Sequence, residues 1–530
     1  MNVREAIKEW LQYHHISVVF GNPGSTEIPF LVDWPESISY VLGLQESQVV
    51  AMADGYAQAL GQPAVVNLHS QPGLGHAMGA LMTARRNRSP LVVTIGQEDS
   101  RHHIVEPLLY GNLAPWASSI AQWSYQPTSS EDVVPALERA YHEARRPPGG
   151  PAAVILPMDY LNGKANWNPR REVDYHTVPQ GINELSQLLK ASKFPALVIG
   201  DEVDKEDAWG EAVSLAEAID CPVYGAPLSM RTGFPNRHPL FQGHLNPVMS
   251  TIIQILSPYD QVLVIGAPAF LTYPYVPGSR EWAKTIVHHI SSDPEYLARS
   301  MASKGYYGSV RLAMKALLAK IAPKEPELSE ITLQEAEQKS TAARERAAMG
   351  SDYVIYTIGQ SMPADAIVVD ESVSHSLLLR KILNFSRQGS YYTASNGALG
   401  WGLAAAAGIQ LAQRQRRVLA VLGDGASLYG MQSLWTMREW HLPIVIVILN
   451  NHGYNILKSL TQSLYPGHLA KTPGLSVEHV DFTHLAESMG VKAVKVDNPF
   501  DLEMELHTAW ASKDPYLLDV QVDPEIPRLL

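Results

Sequence analysis

Three times along the chain, short apolar runs alternate with stretches of helical period, and this rhythm constrains the fold more than any other feature. In the first 165 residues the runs ISVVFG, ISYVLGLQ, PAVVNLHS, PLVVTIGQ and PAAVILP are separated by segments such as SQVVAMADGYAQALG and GHAMGALMTARRN. Strand-length runs separated by helices predict parallel sheets, because a parallel strand needs a crossover that lies on the sheet face. The rhythm returns in FPALVIGD, CPVYGAP, YDQVLVIGAP and AKTIVHHISSD, and again in AIVVDES, RRVLAVLGDG, LPIVIVILNN, KAVKVDN and YLLDVQV. The expected architecture is α/β, with three consecutive doubly wound domains of mainly parallel sheets at 1–165, 182–325 and 350–530. The polar stretch 157–181 reads as one linker, and the charged stretch 323–350 as a second that passes into an exposed helix.

Composition removes several classes of function. A net charge of −12 argues against a nucleic acid or an anionic membrane as partner. The longest apolar runs, such as LPIVIVIL at 442–449, have strand length and are too short to span a bilayer. The opening MNVREAIKEWLQYHH lacks the apolar run of a signal peptide, so the cytoplasm is the expected compartment. A single cysteine, Cys221, leaves no intrachain disulfide and no thiolate cluster.

The third block carries the most specific motif. Gly423-Asp424-Gly425 ends an apolar run and opens a helical segment; a second apolar run then leads to Asn450-Asn451-His452-Gly453-Tyr454. The glycines are expected to turn the chain sharply from strand to helix. The free amides at the helix start, with Ala426 and Ser427, suit a diphosphate. Asp424 and the Asn451 amide oxygen, at neighbouring strand ends, can reach one cation, and Mg2+ prefers such hard oxygen ligands. A bare GDG is a common turn; followed at this spacing by a buried strand and NN-x-G-Y, it becomes a specific constellation.

On these residues the chain resembles the thiamine-diphosphate enzyme superfamily along essentially its whole length, in the order pyrimidine-binding, middle and diphosphate-binding domain. The resemblance implies thiamine diphosphate and Mg2+ as cofactors, with Asp424, Asn451 and the Gly453 carbonyl on the metal and His452 a bystander. It implies that Glu46, at the strand end before VVAMADGYA, is the acid that activates the aminopyrimidine. A glutamate there is also a plain favourable charge at a helix start. In SYYTASNGALG the Gly397 carbonyl would meet the cofactor amino group and Leu399 would wedge it into a bent shape, with Ser374, Gly423, Gly425, Ala426, Ser427 and Tyr454 completing the cofactor site. The resemblance also implies a homodimer or homotetramer with active sites at the subunit interface.

Within the superfamily the chain is most similar to benzoylformate decarboxylase and related 2-keto acid decarboxylases, through FGNPGSTEIPFL, LQES, ADGYAQA, NLHS, GHAMGAL, SPLVVTIGQ, QWSYQP, GAPAF and SYYTASNGALG. By that similarity Ser25 meets the substrate carboxylate and His69 handles protons; the plain alternative for Ser25 is a helix N-cap. Tyr273 stands where the family has its second catalytic histidine, and a tyrosine does not cycle a proton easily near neutral pH. The pair His102-His103 is a candidate substitute, against the plain reading of a solvated loop pair. Around the substrate, Leu108, Leu109 and Val373 are apolar, Ile456 replaces a family alanine, and Leu460 replaces a phenylalanine. The expected activity is non-oxidative decarboxylation of an apolar 2-keto acid, aryl or branched. The alternatives are a carboligase or aldehyde lyase acting on aldehydes, and, ranked below it, a non-catalytic cofactor-binding scaffold. A dinucleotide dehydrogenase lacks its G-x-G-x-x-G after the first strand.

Overall fold

The computed structural model describes residues 1–169, 173–278, 281–282, 284–321, 349–524 and 526. The charged linker expected at 323–350, and the exposed helix following it, lie almost entirely outside them. The first sheet contains β1 (Val18–Asn22), β2 (Ser39–Leu42), β3 (Ala64–Leu68), β4 (Leu91–Gln97), β5 (Trp123–Tyr125) and β6 (Pro151–Pro157). The second contains β7 (Pro195–Ile199), β8 (Val223–Gly225), β9 (Phe241–His244), β10 (Gln261–Ile265), β11 (Ile286–Ser291) and β12 (Lys304–Tyr307). The third contains β13 (Ile367–Glu371), β14 (Tyr391–Thr393), β15 (Val418–Gly423), β16 (Ile444–Asn450), β17 (Lys492–Val496) and β18 (Tyr516–Gln521).

Among the described residues every pairing of these strands is parallel. β3, β4, β6 and β16 are buried along their whole length. Helices cover both faces of such a strand, which is why its sequence is apolar without alternation. The first sheet runs β2-β1-β3-β4-β6-β5 and the third β14-β13-β15-β16-β18-β17, the same path through space. The middle sheet runs β12-β11-β10-β7-β8-β9, the order of dinucleotide-binding domains. At the end of β7, where a dinucleotide would present its phosphates, this chain instead buries Asp201 and Glu202. Burial raises the Glu202 carboxyl to about 8.

The first and third domains share one apolar core. The helix Glu46–Leu60 packs against the helix Gly402–Ala412 with backbone in contact. A Cβ on Gly55 would lie 2.4 Å from the Ala405 carbonyl oxygen, and one on Gly408 1.8 Å from that of Met52. The small-residue run GLAAAAG is what permits this approach. Beside the crossing, buried Asp54 collects donors from Gln58, Asn87, Ser89 and, across the domain boundary, the Trp401 indole at 2.8 Å. Burial pushes its carboxyl up and the four hydrogen bonds oppose it.

Three local expectations change. The stretch from 157 is not all linker: Met158–Asn162 forms a 3-10 turn that buries Leu161, and Lys164 bridges back to Asn2. The helix expected after Gly425 is two short pieces, Asp424–Ser427 and Ser433–Glu439. Between them Tyr429 backs onto Gly400, where a Cβ would lie 2.8 Å from the tyrosine Cβ. Neither Gly423 nor Gly425 has positive φ. Gly425 is required by close approach instead, since a Cβ there would fall 2.3 Å from the Tyr454 ring.

Candidate active site

A first cluster forms where β1 and β3 end. Ser25 opens a 3-10 turn, Ser25–Glu27, whose N-cap is Gly24. Ser25 is therefore not the cap, and its side chain is exposed. Behind it Glu27 is buried, receives the Gly24 N–H at 2.8 Å and the Thr26 hydroxyl at 2.6 Å, and pairs with His69 Nδ1 at 2.8 Å. That hydrogen bond raises the His69 pKa above its ordinary value, against the opposing effect of burial and with help from the charges of Glu27, Glu46 and Glu98. Gly24 makes room for the ring, because a Cβ there would lie 2.3 Å from His69 Nδ1.

Glu46 begins its helix behind the N-cap Gln45, whose side-chain oxygen accepts from the backbone of Ser47 and Gln48. A carboxylate at this position is favoured by the unpaired amides of the first turn. Its Oε1 accepts from Asn22 Nδ2 at 3.1 Å, and its Oε2 lies 3.1 Å from His76 Nδ1. Gly73 leaves the carboxylate open, with its missing Cβ 3.5 Å from Oε1.

A second cluster forms at the ends of β15 and β16. Asp424 accepts the Gly425 N–H at 2.7 Å and the Gly453 N–H at 2.9 Å. It is only 3 % exposed, and burial pushes its carboxyl up. The two adjacent asparagines divide their work. Asn450 is committed to the fold, donating to Asp519 at 2.9 Å and accepting the His452 N–H at 3.2 Å. Asn451 is buried, and its Oδ1 has no hydrogen-bond partner. His452 is exposed, with Nε2 3.0 Å from Gln521 Oε1. A buried carboxylate and an unpartnered amide oxygen at neighbouring strand ends form a hard-oxygen donor set that fits Mg2+.

The loop between β14 and the Gly402–Ala412 helix is held from both sides. Glu371 accepts the N–H groups of Trp401 at 3.1 Å and Gly402 at 3.0 Å, and burial raises its carboxyl to about 8. Asn396 donates to Thr83 at 3.0 Å, and the Ser395 N–H donates to Asn87 at 3.0 Å. Gly397 has φ +67°, with open space where a side chain would be, and Leu399 is half-buried beside it. Ser374 lies in the 3-10 turn Val373–His375. Val373 (φ 43°) and Ser70 (φ 36°) occupy a backbone region that costs about 1–3 kcal/mol for such residues.

Among the described residues the remaining candidates make no hydrogen bond to these clusters. His103 Nε2 is 2.6 Å from the Glu98 carbonyl, and its ring packs on Tyr110. His102 is 3.7 Å from the Glu98 carboxylate. Leu108 is 97 % exposed, Leu109 half-buried, and Tyr273 60 % exposed. Ile456 and Leu460, one helical turn apart on Asn455–Leu464, are half-buried. Among the described residues no hydrogen bond joins the Glu46 cluster to the Asp424 cluster. A cavity of about 670 Å³ lies elsewhere, between Arg88, Arg145, Asp201 and Tyr296. Sequence reasoning passed over Glu27, Asn22, His76 and Glu371. Glu27 and His76 lie inside the quoted stretches FGNPGSTEIPFL and GHAMGAL, where a charged or titratable residue among small ones was the available signal.

Two like-wound parallel domains, one presenting a carboxylic acid at a helix start and the other an oxygen cradle at strand ends, define a cofactor-dependent α/β enzyme of the thiamine diphosphate class. The chain belongs to the thiamine pyrophosphate enzyme family: residues 1–107, 182–317 and 372–520 match its N-terminal TPP binding domain, central domain and C-terminal TPP binding domain. It is 36% identical over 525 residues to benzoylformate decarboxylase of Pseudomonas aeruginosa, covering 98% of each chain. The fold superposes on the thiamine diphosphate-dependent 4-hydroxybenzoylformate decarboxylase of Rhodococcus jostii RHA1 with a TM-score of 0.93 at 34% identity, over 99% of this chain and 100% of that one. It also superposes on benzoylformate decarboxylase of Polynucleobacter necessarius with a TM-score of 0.92 at 32% identity, over 99% and 100%. Among the described residues no helix is long and apolar enough to cross a membrane.

Proposed function

We propose that this chain catalyses the thiamine diphosphate- and Mg2+-dependent, non-oxidative decarboxylation of an apolar 2-keto acid, with benzoylformate as the first substrate to try. The observation that carries the reading is the pairing of Glu27 with His69 at 2.8 Å beside Glu46, in a chain 32–36% identical over its full length to three proteins named benzoylformate or 4-hydroxybenzoylformate decarboxylase. Thiamine diphosphate supplies the electron sink that lets a carboxylate leave as carbon dioxide. Asp424, Asn451 and the Gly453 carbonyl would hold the metal; Ser427, Gly425 and Tyr454 would flank the diphosphate. Glu46 would hold a proton against the pyrimidine ring, with Gly397 and Leu399 setting its orientation. Ser25, exposed at the mouth of the first cluster, would bind the substrate carboxylate. His69, whose pKa the Glu27 hydrogen bond raises, would hold the proton that the product needs.

The family resemblance supports a homodimer or homotetramer in which each site draws on two copies. Tyr273 in the position of the family's second histidine favours a second reading, carboligation or aldehyde lysis, because a product site without that proton donor leaves time for an aldehyde acceptor. The test is carbon dioxide release from a panel of aryl, branched and straight 2-keto acids, with thiamine diphosphate and Mg2+ present or omitted. Cofactor-dependent release from the aryl acids supports the first reading. No release by cofactor-loaded protein, with ligation of aldehydes, supports the second.

A further inference from the structure

We infer that His76 is a positioning residue that holds the Glu46 carboxyl and relays protons between it and solvent. The inference rests on the reading of Glu46 as the activating acid. Three observations carry it. His76 Nδ1 lies 3.1 Å from Glu46 Oε2. In the single chain the Glu46 side chain is 10 % exposed while that of His76 is 63 % exposed, so the imidazole leads outward from the buried acid. Among the described residues the only other side chain hydrogen-bonded to Glu46 is Asn22, whose amide donates to Oε1 at 3.1 Å and cannot carry a proton.

The surroundings leave His76 as the exit. Glu46 faces Asn22 from β1, Gly73 and His76 from the helix Ser70–Arg86, and through space the charge of His69. His69 is itself engaged through Nδ1 by Glu27 at 2.8 Å. A carboxyl that must gain and lose a proton needs a group that can do both, and imidazole is suited to it because each ring nitrogen can bind or release one. His76 passes its Nδ1 proton to Glu46 Oε2 and takes one at Nε2 from hydronium or a buffer acid, leaving water or the buffer base; the reverse returns it. His76 sits six residues before Met82 and seven before Thr83 on one helix, whose far end holds the Asn396 side chain. The helix thus fixes the relay and the cofactor loop on a common rigid element.

The experiment uses the holoenzyme, loaded with thiamine diphosphate and Mg2+, and reads hydrogen–deuterium exchange at the thiazolium C2 without substrate. His76→Asn keeps an amide donor for Glu46 and removes the relay; His76→Ala removes both. At low buffer concentration the Asn variant is expected to exchange about 10-fold more slowly than wild type, with cofactor affinity held. Added imidazole buffer is expected to restore its rate, because a small acid–base pair can replace the lost ring. His76→Ala is expected to lose cofactor affinity as well. In cofactor-free protein the His76 Nδ1 nitrogen resonance is expected to move when Glu46→Gln is introduced, a signature of the bond that needs no turnover. Exchange by His76→Asn within about twofold of wild type at low buffer overturns the relay. Glu46→Gln that still exchanges at the wild-type rate overturns instead the reading of Glu46 on which it rests.

Discussion

Replacing Gly408 with alanine tests whether the helix crossing between the first and third domains is set by backbone contact. The added Cβ would meet the Met52 carbonyl oxygen at 1.8 Å, its carbon at 2.8 Å and the Tyr56 nitrogen at 2.9 Å. All three are main-chain atoms of the facing helix, so no side chain can rotate aside. Nonbonded carbon contacts settle at about 3.5–4.0 Å, so the helices must part by about 1 Å or more. Overpacking of this kind costs about 3 kcal/mol, the upper end of its usual range, because backbone must move. Alanine in a helix interior returns about 1 kcal/mol. The net is about 2 kcal/mol of destabilisation, or about 4–8 °C in the melting temperature of a domain of this size. The assay is scanning calorimetry at one fixed scan rate. Gly210→Ala, in the helix Trp209–Ile219 with nothing within 4 Å of its Cβ, serves as the control and should melt at or slightly above wild type. A Gly408→Ala protein that melts as high as the control would refute the reasoning, since helix propensity would then outweigh the contact.

Glu27→Gln removes the largest cause of the raised His69 pKa, so the alkaline limb of kcat/KM should move to lower pH. The sign for stability follows the same group: with its folded pKa raised, His69 contributes stability that is complete below its ordinary value of about 6.5 and is lost as pH rises through the raised value. The melting gap between wild type and Glu27→Gln should therefore be wider at low pH than at high pH. Asp424→Ala should weaken Mg2+-dependent thiamine diphosphate binding by about 100-fold or more, read by tryptophan fluorescence, and chelation of wild type should reproduce the loss. Tyr273→His should raise decarboxylation relative to ligation by about 10-fold or more; an unchanged product ratio would remove Tyr273 from the account. Changing His102 and His103 together to alanine should leave turnover near wild type if His103 serves only the Glu98 carbonyl, and a large loss in kcat would return the pair to the site.

The α/β class was legible in the sequence because parallel strands covered on both faces must be apolar at every position, as VLAVLG and IVIVILN are. The oxygen cradle was legible because its residues lie at consecutive strand ends within thirty positions of one another. What each of them does was less so. Asn451 was named for the cation from the sequence, but that its neighbour Asn450 is committed to Asp519 shows only in the strand register. The break between Ser427 and Ser433 was hidden because Tyr429, which lies within it, meets Gly400 only in the tertiary structure. Glu27 and His76 gain their meaning from His69 and Glu46, 42 and 30 residues away, and no local period marks such a pair.

The shared core of the first and third domains has a consequence for how this sequence can vary. Asp54 and Trp401 are 347 residues apart and joined by one hydrogen bond, with Gly55 against Ala405 and Met52 against Gly408 beside them. Any exchange of one of these domains between relatives must carry its counterpart with it, while the middle domain, which stands outside that core, meets the other two through polar contacts such as Arg88 with Asp293 and Arg231 with the Gln58 carbonyl, and a foreign middle domain must keep those partners. Chimeras that respect this pairing should express as folded protein, and those that split it should not.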